Sequence, residues 1–405
     1  MNIPPSLCLQ CRGSRLLCGL RYCPILNNTN RVISIDTDRL EGYTPPAVFV
    51  GRVGYPNVSI GPMIPYPSTL GYHDISIYDR PEEWYNMDIN DILRFRLTLV
   101  RGKMKVSVYT TDSRVDLLRE LSIASKPVDT EMRISRLNDS ISINEVVPPF
   151  GPSAEVEYLK VSNVKVDPRI EKYYYDDMSA YDAVVELYKD KVSVSSIARA
   201  LSVGCLGLKH RRRLVPTRWS ITAVDDTVSR YLIGSIKHMP SIDEYLVYTR
   251  KVYMNDFVCI MLPGSWEFEW IEGWHEHTLW NPTTQGKEIM GDHERYRGMD
   301  HYARVGGCYY SARLAASEHL SYMKRQCRVI ILREVHTGFD VPIGVWFVRE
   351  QLRAMFRSEP SRFSSIDDAI TYAMSNLTIP LSEWSRYSVI LRSLRKGSSI
   401  EDYFT

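Results

Sequence analysis

The chain has 405 residues, 44% hydrophobic and 24% charged, a profile that excludes a disordered or fibrous polymer and predicts a sizeable buried core. A net charge of only +2 excludes a polycation that grips nucleic acid by bulk charge, so any such surface must be a local patch. The first residues lack the basic-then-apolar layout of a secretory signal, and no apolar run reaches the ~18 residues of a bilayer span; the sequence predicts a cytoplasmic protein with no membrane partner.

Four of the eight cysteines fall in Cys8-x2-Cys11-x6-Cys18-x4-Cys23, while Cys205, Cys259, Cys308 and Cys327 stand singly, as reduced core thiols do. Four thiolates on so short a segment suit a tetrahedral ion at ~2.3 Å, and such a segment has no core of its own, so metal binding would supply its folding free energy. Residues 1–27 are therefore expected to form a four-cysteine metal module. Zinc is the expected ion. The wide second pair and the short gap between pairs leave an iron–sulfur cluster as the rival, and two disulfides or four free thiols as the bland reading. Arg12, Arg15, Arg21 and Arg31 give the module a basic surround.

After the polar joint at Asn27–Asn30, the segment Phe49–Met63 is punctuated by Gly51, Gly54, Pro56, Gly61 and Pro62 and reads as a strand with tight turns. Arg94–Thr110 alternates apolar and polar residues on both sides of Gly102-Lys103, which predicts a β-hairpin. Ser113–Ser125 reads as a helix, and Tyr181–Leu201 as two helices broken near Val192-Ser193. The second of these superficially resembles the start of a helix-turn-helix, but no recognition helix follows, and an amphipathic core helix is the expectation.

Beyond Leu214, strands at Tyr245–Leu262, Glu267–Trp270 and Arg328–Leu332 alternate with helices at Thr227–Ile236, Tyr309–Lys324 and Trp346–Phe356. Trp384, Tyr387, Ile390, Leu391 and Leu394 make one apolar stripe, which predicts a single helix over Ser382–Leu394. The predicted class is α+β: a large mixed core, a small N-terminal metal module, and a C-terminal helical region ending in a flexible peptide.

Three regions carry candidate chemistry. Arg211, Arg212, Arg213 and Arg218 are the densest positive patch, and Trp219 adds a stacking surface, together suited to the phosphates of nucleic acid or a nucleotide. Asp225 and Asp226 precede Thr227, where they would cap a helix or hold a divalent ion. Residues 265–301 hold Glu267, Glu269, Glu272, His275, Glu276, His277, Asp292, His293, Glu294, Asp300 and His301. On a strand His275 and His277 would share a face, the makings of a metal centre for phosphodiester or nucleotide hydrolysis. The alternative is a crowded hydrogen-bonded core, because no HExxH-type spacing is present. His275, His277, Asp225 and Asp226 are the catalytic candidates.

The chain ends with Ile400, Tyr403 and Phe404 at i, i+3 and i+4 after Gly397-Ser398-Ser399. One 3₁₀-like turn would set all three on a single prong for a hydrophobic pocket. The pattern resembles the peptide by which repair and replication proteins dock on the sliding clamp PCNA, with Gly397 where that motif carries glutamine; the alternative is a tail folded onto its own core. The leading cysteines, FVGRVGYPNVSIGP, RRRLVPTRWSITAVDD and this tail together resemble the archaeal Nre family of DNA-repair proteins over essentially the whole chain. The resemblance implies a role in DNA-damage repair, a zinc-finger-like DNA-binding element on Cys8, Cys11, Cys18 and Cys23, and clamp docking through Gly397, Ile400, Tyr403 and Phe404. It further implies core domains over 28–295 and 296–395, a tail at 396–405, and DNA, PCNA and other repair proteins as partners, without a reaction.

Overall fold

The computed structural model describes residues 17–19, 35, 37–66, 75–138, 146–282, 286–339 and 342–396, arranged as two compact units. The first takes in residues 26–228 and Ile343–Phe347; the second gathers residues 17–19, Ser229–Pro342 and the chain from Val348.

The first unit is built on β1 (Arg39–Thr44), β2 (Val48–Val50), β3 (Asn57–Pro65), β4 (Leu99–Ser107), β5 (Val128–Asn138) and β6 (Ser153–Ser162). They form one sheet in the order β1-β5-β6-β4-β3-β2, antiparallel except where β4 runs parallel to β6. Between β3 and β4 lies α1 (Ile89–Leu97), with Asp88 accepting from the Asn90 amide at its start. The hairpin predicted over Arg94–Thr110 is thus a helix followed by a strand. The alternation misleads because Arg96, at a polar position of the pattern, is fully buried: its guanidinium lies over Trp84 and Phe150 and donates to the Tyr78 and Pro149 carbonyls. Burial lowers its pKa to about 10, against the pull of Asp79.

α2 (Ser113–Ser122) follows β4 much as predicted, capped by Asp112. After α3 (Pro168–Tyr175), the pair α4 (Ala180–Lys189) and α5 (Val194–Ser202) breaks where predicted, with Ser193 capping the Ser196 amide. Next, α6 spans Thr217–Ile236, not Thr227–Ile236. Ser220, Val224, Val228, Leu232 and Ile236 are buried at a steady i, i+4 interval, and that stripe runs straight through the two aspartates. Asp225 and Asp226 therefore sit in mid-helix and cap nothing.

The second unit holds β7 (Tyr245–Val252), β8 (Asn255–Leu262), β9 (Glu267–Trp274), β10 (Glu288–Glu294), α7 (Gly307–Met323), β11 (Arg328–Val335), α8 (Trp346–Met355), β12 (Ser361–Phe363), α9 (Ile366–Ser375), α10 (Leu381–Tyr387) and α11 (Val389–Lys396), with the first two residues of α8 counted in the other unit. Its sheet order is β10-β9-β11-β8-β7-β12, antiparallel except for the parallel pair β9 and β11. The single strand expected over Tyr245–Leu262 is two, reversed at Tyr253-Met254, both at positive φ (48° and 56°). Such turns favour Asn-Gly, so Tyr-Met gave no signal; buried Asn255 donates back to the Tyr253 carbonyl across the turn.

One face of this sheet (Val258, Ile260, Ile271, Ile330, Leu332) packs on Ala369, Ala373, Ile379, Trp384, Ile390 and Leu391 of the last three helices and their links. Gly273 makes the approach possible: a Cβ there would lie 2.5 Å from Ile379 and 2.8 Å from Trp384. The helix predicted over Ser382–Leu394 is broken at Ser388 by a side chain of the sheet. Buried Glu269 accepts the Val389 amide at 2.6 Å and the Ser388 hydroxyl, and Ser388 Oγ in turn accepts the Leu391 amide, so α11 starts afresh.

Candidate functional site

The parallel pairing of β9 and β11, with β8 antiparallel on the far side of β11, sets three chain ends side by side: Val335 lies opposite Trp274 on one flank and Asn255 on the other. Glu334 and Asp256 pair across the last rungs of β11 and β8, and His275 and His336 follow the ends of β9 and β11. His275 Nε2 lies 2.5 Å from Glu334 Oε1, and the His275 and His336 rings stack at 4.7 Å and 22°. His336 Nε2 is held by Asp256 Oδ2 at 3.0 Å, and its backbone amide donates to the Met254 carbonyl at 2.8 Å. His275, Glu334 and His336 each offer a ligand atom, all within 4.8 Å of one another.

Glu334 is fully buried and anchored from the loop before α10: its Oε2 accepts the Thr378 amide at 2.9 Å and the Ile379 amide at 3.2 Å, and Thr378 Oγ1 also reaches Oε1. Burial by itself would raise its carboxyl, but donors from His275, Thr378 and Ile379 outweigh that and hold it down at about 2. A fixed carboxylate beside two imidazoles is a set that can hold a metal ion or position a proton.

The predicted pair of His275 and His277 does not form. β9 ends at Trp274, and His277 sits exposed in a turn with φ of 56°, so the period-two alternation stops one residue too soon. Most of the other acidic and histidine residues of 265–301 belong to structural pairs. Glu267 is bonded by His293 and Arg328 at 2.6 Å each; Glu272 faces Arg333 at 3.2 Å; Glu294 accepts from Arg313 at 2.8 Å and from Trp266 Nε1 at 3.1 Å; Asp292 accepts the Val305 amide at 2.8 Å. The crowded-core alternative holds for these. Glu334, His336, Asp256 and Thr378 were missed, and the available signal was the Glu334-x-His336 pair closing the apolar run of β11.

The arginine patch is divided by its geometry. Arg212 is turned inward and donates to the carbonyls of Gly207, Tyr173, Tyr174 and Asp176, so it ties the segment down. Arg211 and Arg213 are exposed, Arg218 is half-buried, and Trp219 is 45% exposed with its ring 5.3 Å from that of Tyr55, itself 41% exposed. Asp225 is buried and Asp226 half-buried within α6. Cys8, Cys11 and Cys23 lie outside the described residues, as do Gly397, Ile400, Tyr403 and Phe404; Cys18 stands in the turn at 17–19. Cys205, Cys259, Cys308 and Cys327 are buried thiols, as expected. Among the described residues no helix is long and apolar enough to cross a membrane.

Two mixed sheets, each with one parallel pair, and a histidine–carboxylate cluster at the end of the second define an α+β protein with a candidate metal centre. Two family models cover it: archaeal Nre, N-terminal, over residues 17–281, and archaeal Nre, C-terminal, over residues 294–403. The chain is 40% identical over 392 residues to the DNA repair protein NreB of Archaeoglobus fulgidus, spanning 96% of this chain and 98% of that one. It is 34% identical to NreA of the same organism (90% and 92% covered) and 34% identical to NreA of Haloferax volcanii (89% of each). The chain belongs to the archaeal Nre family. No solved structure matches it.

Proposed function

We propose that this protein is a DNA-repair factor that binds DNA and is brought to its work by docking on the sliding clamp PCNA. The observation that carries the reading is likeness, over nine-tenths of the chain or more, to proteins named for DNA repair. Exposed Arg211 and Arg213, and the part-exposed Tyr55–Trp219 ring pair, support DNA contact, since guanidinium groups meet phosphates and open rings accept stacked bases. A zinc module on Cys8, Cys11, Cys18 and Cys23, with Arg12, Arg15, Arg21 and Arg31 around it, would add a second basic element, and Ile400, Tyr403 and Phe404 would fill the clamp's pocket.

The test uses the full chain. Arg211→Ala with Arg213→Ala should weaken binding to duplex or single-stranded DNA uniformly across sequences and lower the salt slope by about 1.4–1.8, two phosphates' worth. Tyr403→Ala with Phe404→Ala should abolish clamp binding in titration calorimetry and leave DNA binding as it was. Wild-type protein that binds neither DNA nor PCNA would overturn the reading. A second reading, metal-dependent hydrolysis of a phosphodiester or nucleotide, draws on the cluster at His275, Glu334 and His336. Product release that requires a divalent ion and disappears in His275→Ala would carry it.

A further inference from the structure

We propose that His275, Glu334 and His336 bind one divalent transition-metal ion of the zinc class, with Asp256 as the carboxylate that orients His336. The site is separate from the N-terminal cysteines and does not depend on the repair reading or on any turnover.

Two imidazoles and one carboxylate suit zinc and its first-row neighbours, whereas magnesium and calcium prefer oxygen alone. Ligands ~2.0–2.2 Å from a shared tetrahedral ion lie about 3.3 Å apart. The three ligand atoms already stand within 4.8 Å of each other, with His275 and Glu334 at 2.5 Å, so small side-chain rotations complete the set. Glu334 is held in place for it: the Thr378 and Ile379 amides occupy Oε2, while Oε1 faces His275 and takes the Thr378 hydroxyl, which a bound ion would displace or share. Asp256 on His336 is the outer carboxylate that ligating histidines usually have. Three protein ligands leave a fourth position for water or substrate, as in catalytic rather than closed structural sites.

Loop anchoring by Glu334 would account for Thr378. It does not account for a second histidine stacked on the first with a carboxylate of its own.

The experiment strips the full chain of metal and titrates it with cobalt(II). In a variant carrying Cys8→Ser, Cys11→Ser, Cys18→Ser and Cys23→Ser, one equivalent should still bind, with visible d–d absorption and no thiolate charge-transfer band. Adding His336→Ala to that variant should remove this equivalent, and adding Asp256→Asn instead should weaken it about 10–100-fold. Circular dichroism checks that each variant is folded. If His336→Ala does not fold, a zinc-dependent rise in the melting temperature of the four-serine variant reads out the same site. No cobalt uptake and no such rise in the four-serine variant, or uptake unchanged by His336→Ala, overturns the proposal.

Discussion

His319 offers a direct measurement of what burial costs a titratable group in this fold. On α7, its ring stacks on Phe356 at 4.7 Å and 7°, meets Tyr248 edge-on, and bonds the Tyr248 hydroxyl at 2.9 Å. Burial lowers its pKa from 6.5 to about 4. The folded protein thus keeps the ring neutral where the unfolded chain protonates it. Stability from this group is complete above pH 6.5 and drains away as pH falls toward about 4. The drop of about 2.5 pH units, at ~1.36 kcal/mol each, is about 3 kcal/mol. Urea denaturation followed by tryptophan fluorescence, on wild type and His319→Gln from about pH 7.5 to about pH 4, isolates the effect, because groups shared by both proteins cancel. Wild type should be the more stable at neutral pH, and its lead should shrink by about 3 kcal/mol at the acid end. A lead that stays constant with pH would refute the assignment of a neutral buried ring.

Other consequences follow from the second unit's packing. Glu272→Ala should cost about 3–5 kcal/mol by urea denaturation, since it takes away the carboxylate that faces the buried Arg333 guanidinium among Phe257, Trp274 and Phe339. Gly273→Val should lower stability by at least about 1–3 kcal/mol, because its Cβ enters space held by Ile379 and Trp384; an unchanged melting temperature would contradict the packing. Cys205, Cys259 and Cys327 are buried, and burial pushes the Cys205 thiol up to about 12 and the other two well above their ordinary range. A thiol reagent at neutral pH should leave them unlabelled by mass spectrometry until urea unfolds the chain; rapid native labelling would argue against the buried placement.

Elements with local causes were legible. The break at Val192-Ser193 was readable because a capping serine signals a helix start from its own position, and α2 because its leucines recur at helical spacing. Where a distant residue set the outcome, local reading failed. Arg96 looked exposed because nothing near it in sequence announces Trp84, Phe150 and the carbonyls that enclose it. Ser382–Leu394 looked continuous because the group that splits it, Glu269, lies over 100 residues upstream.

The candidate centre divides in the same way. His275 belongs to a dense histidine and carboxylate run, but its supposed companion His277 lies past the strand, exposed in a turn. Its actual companions arrive through the parallel register of β9 and β11 and the antiparallel register of β8, which no single segment encodes. From the linear chain come the residue types, the local helices and strands, and the family likeness carried by motifs. Which imidazole meets which carboxylate is decided by strand order and by burial, because the energy of a buried charge depends on every neighbour that replaces water around it, wherever those neighbours fall along the chain.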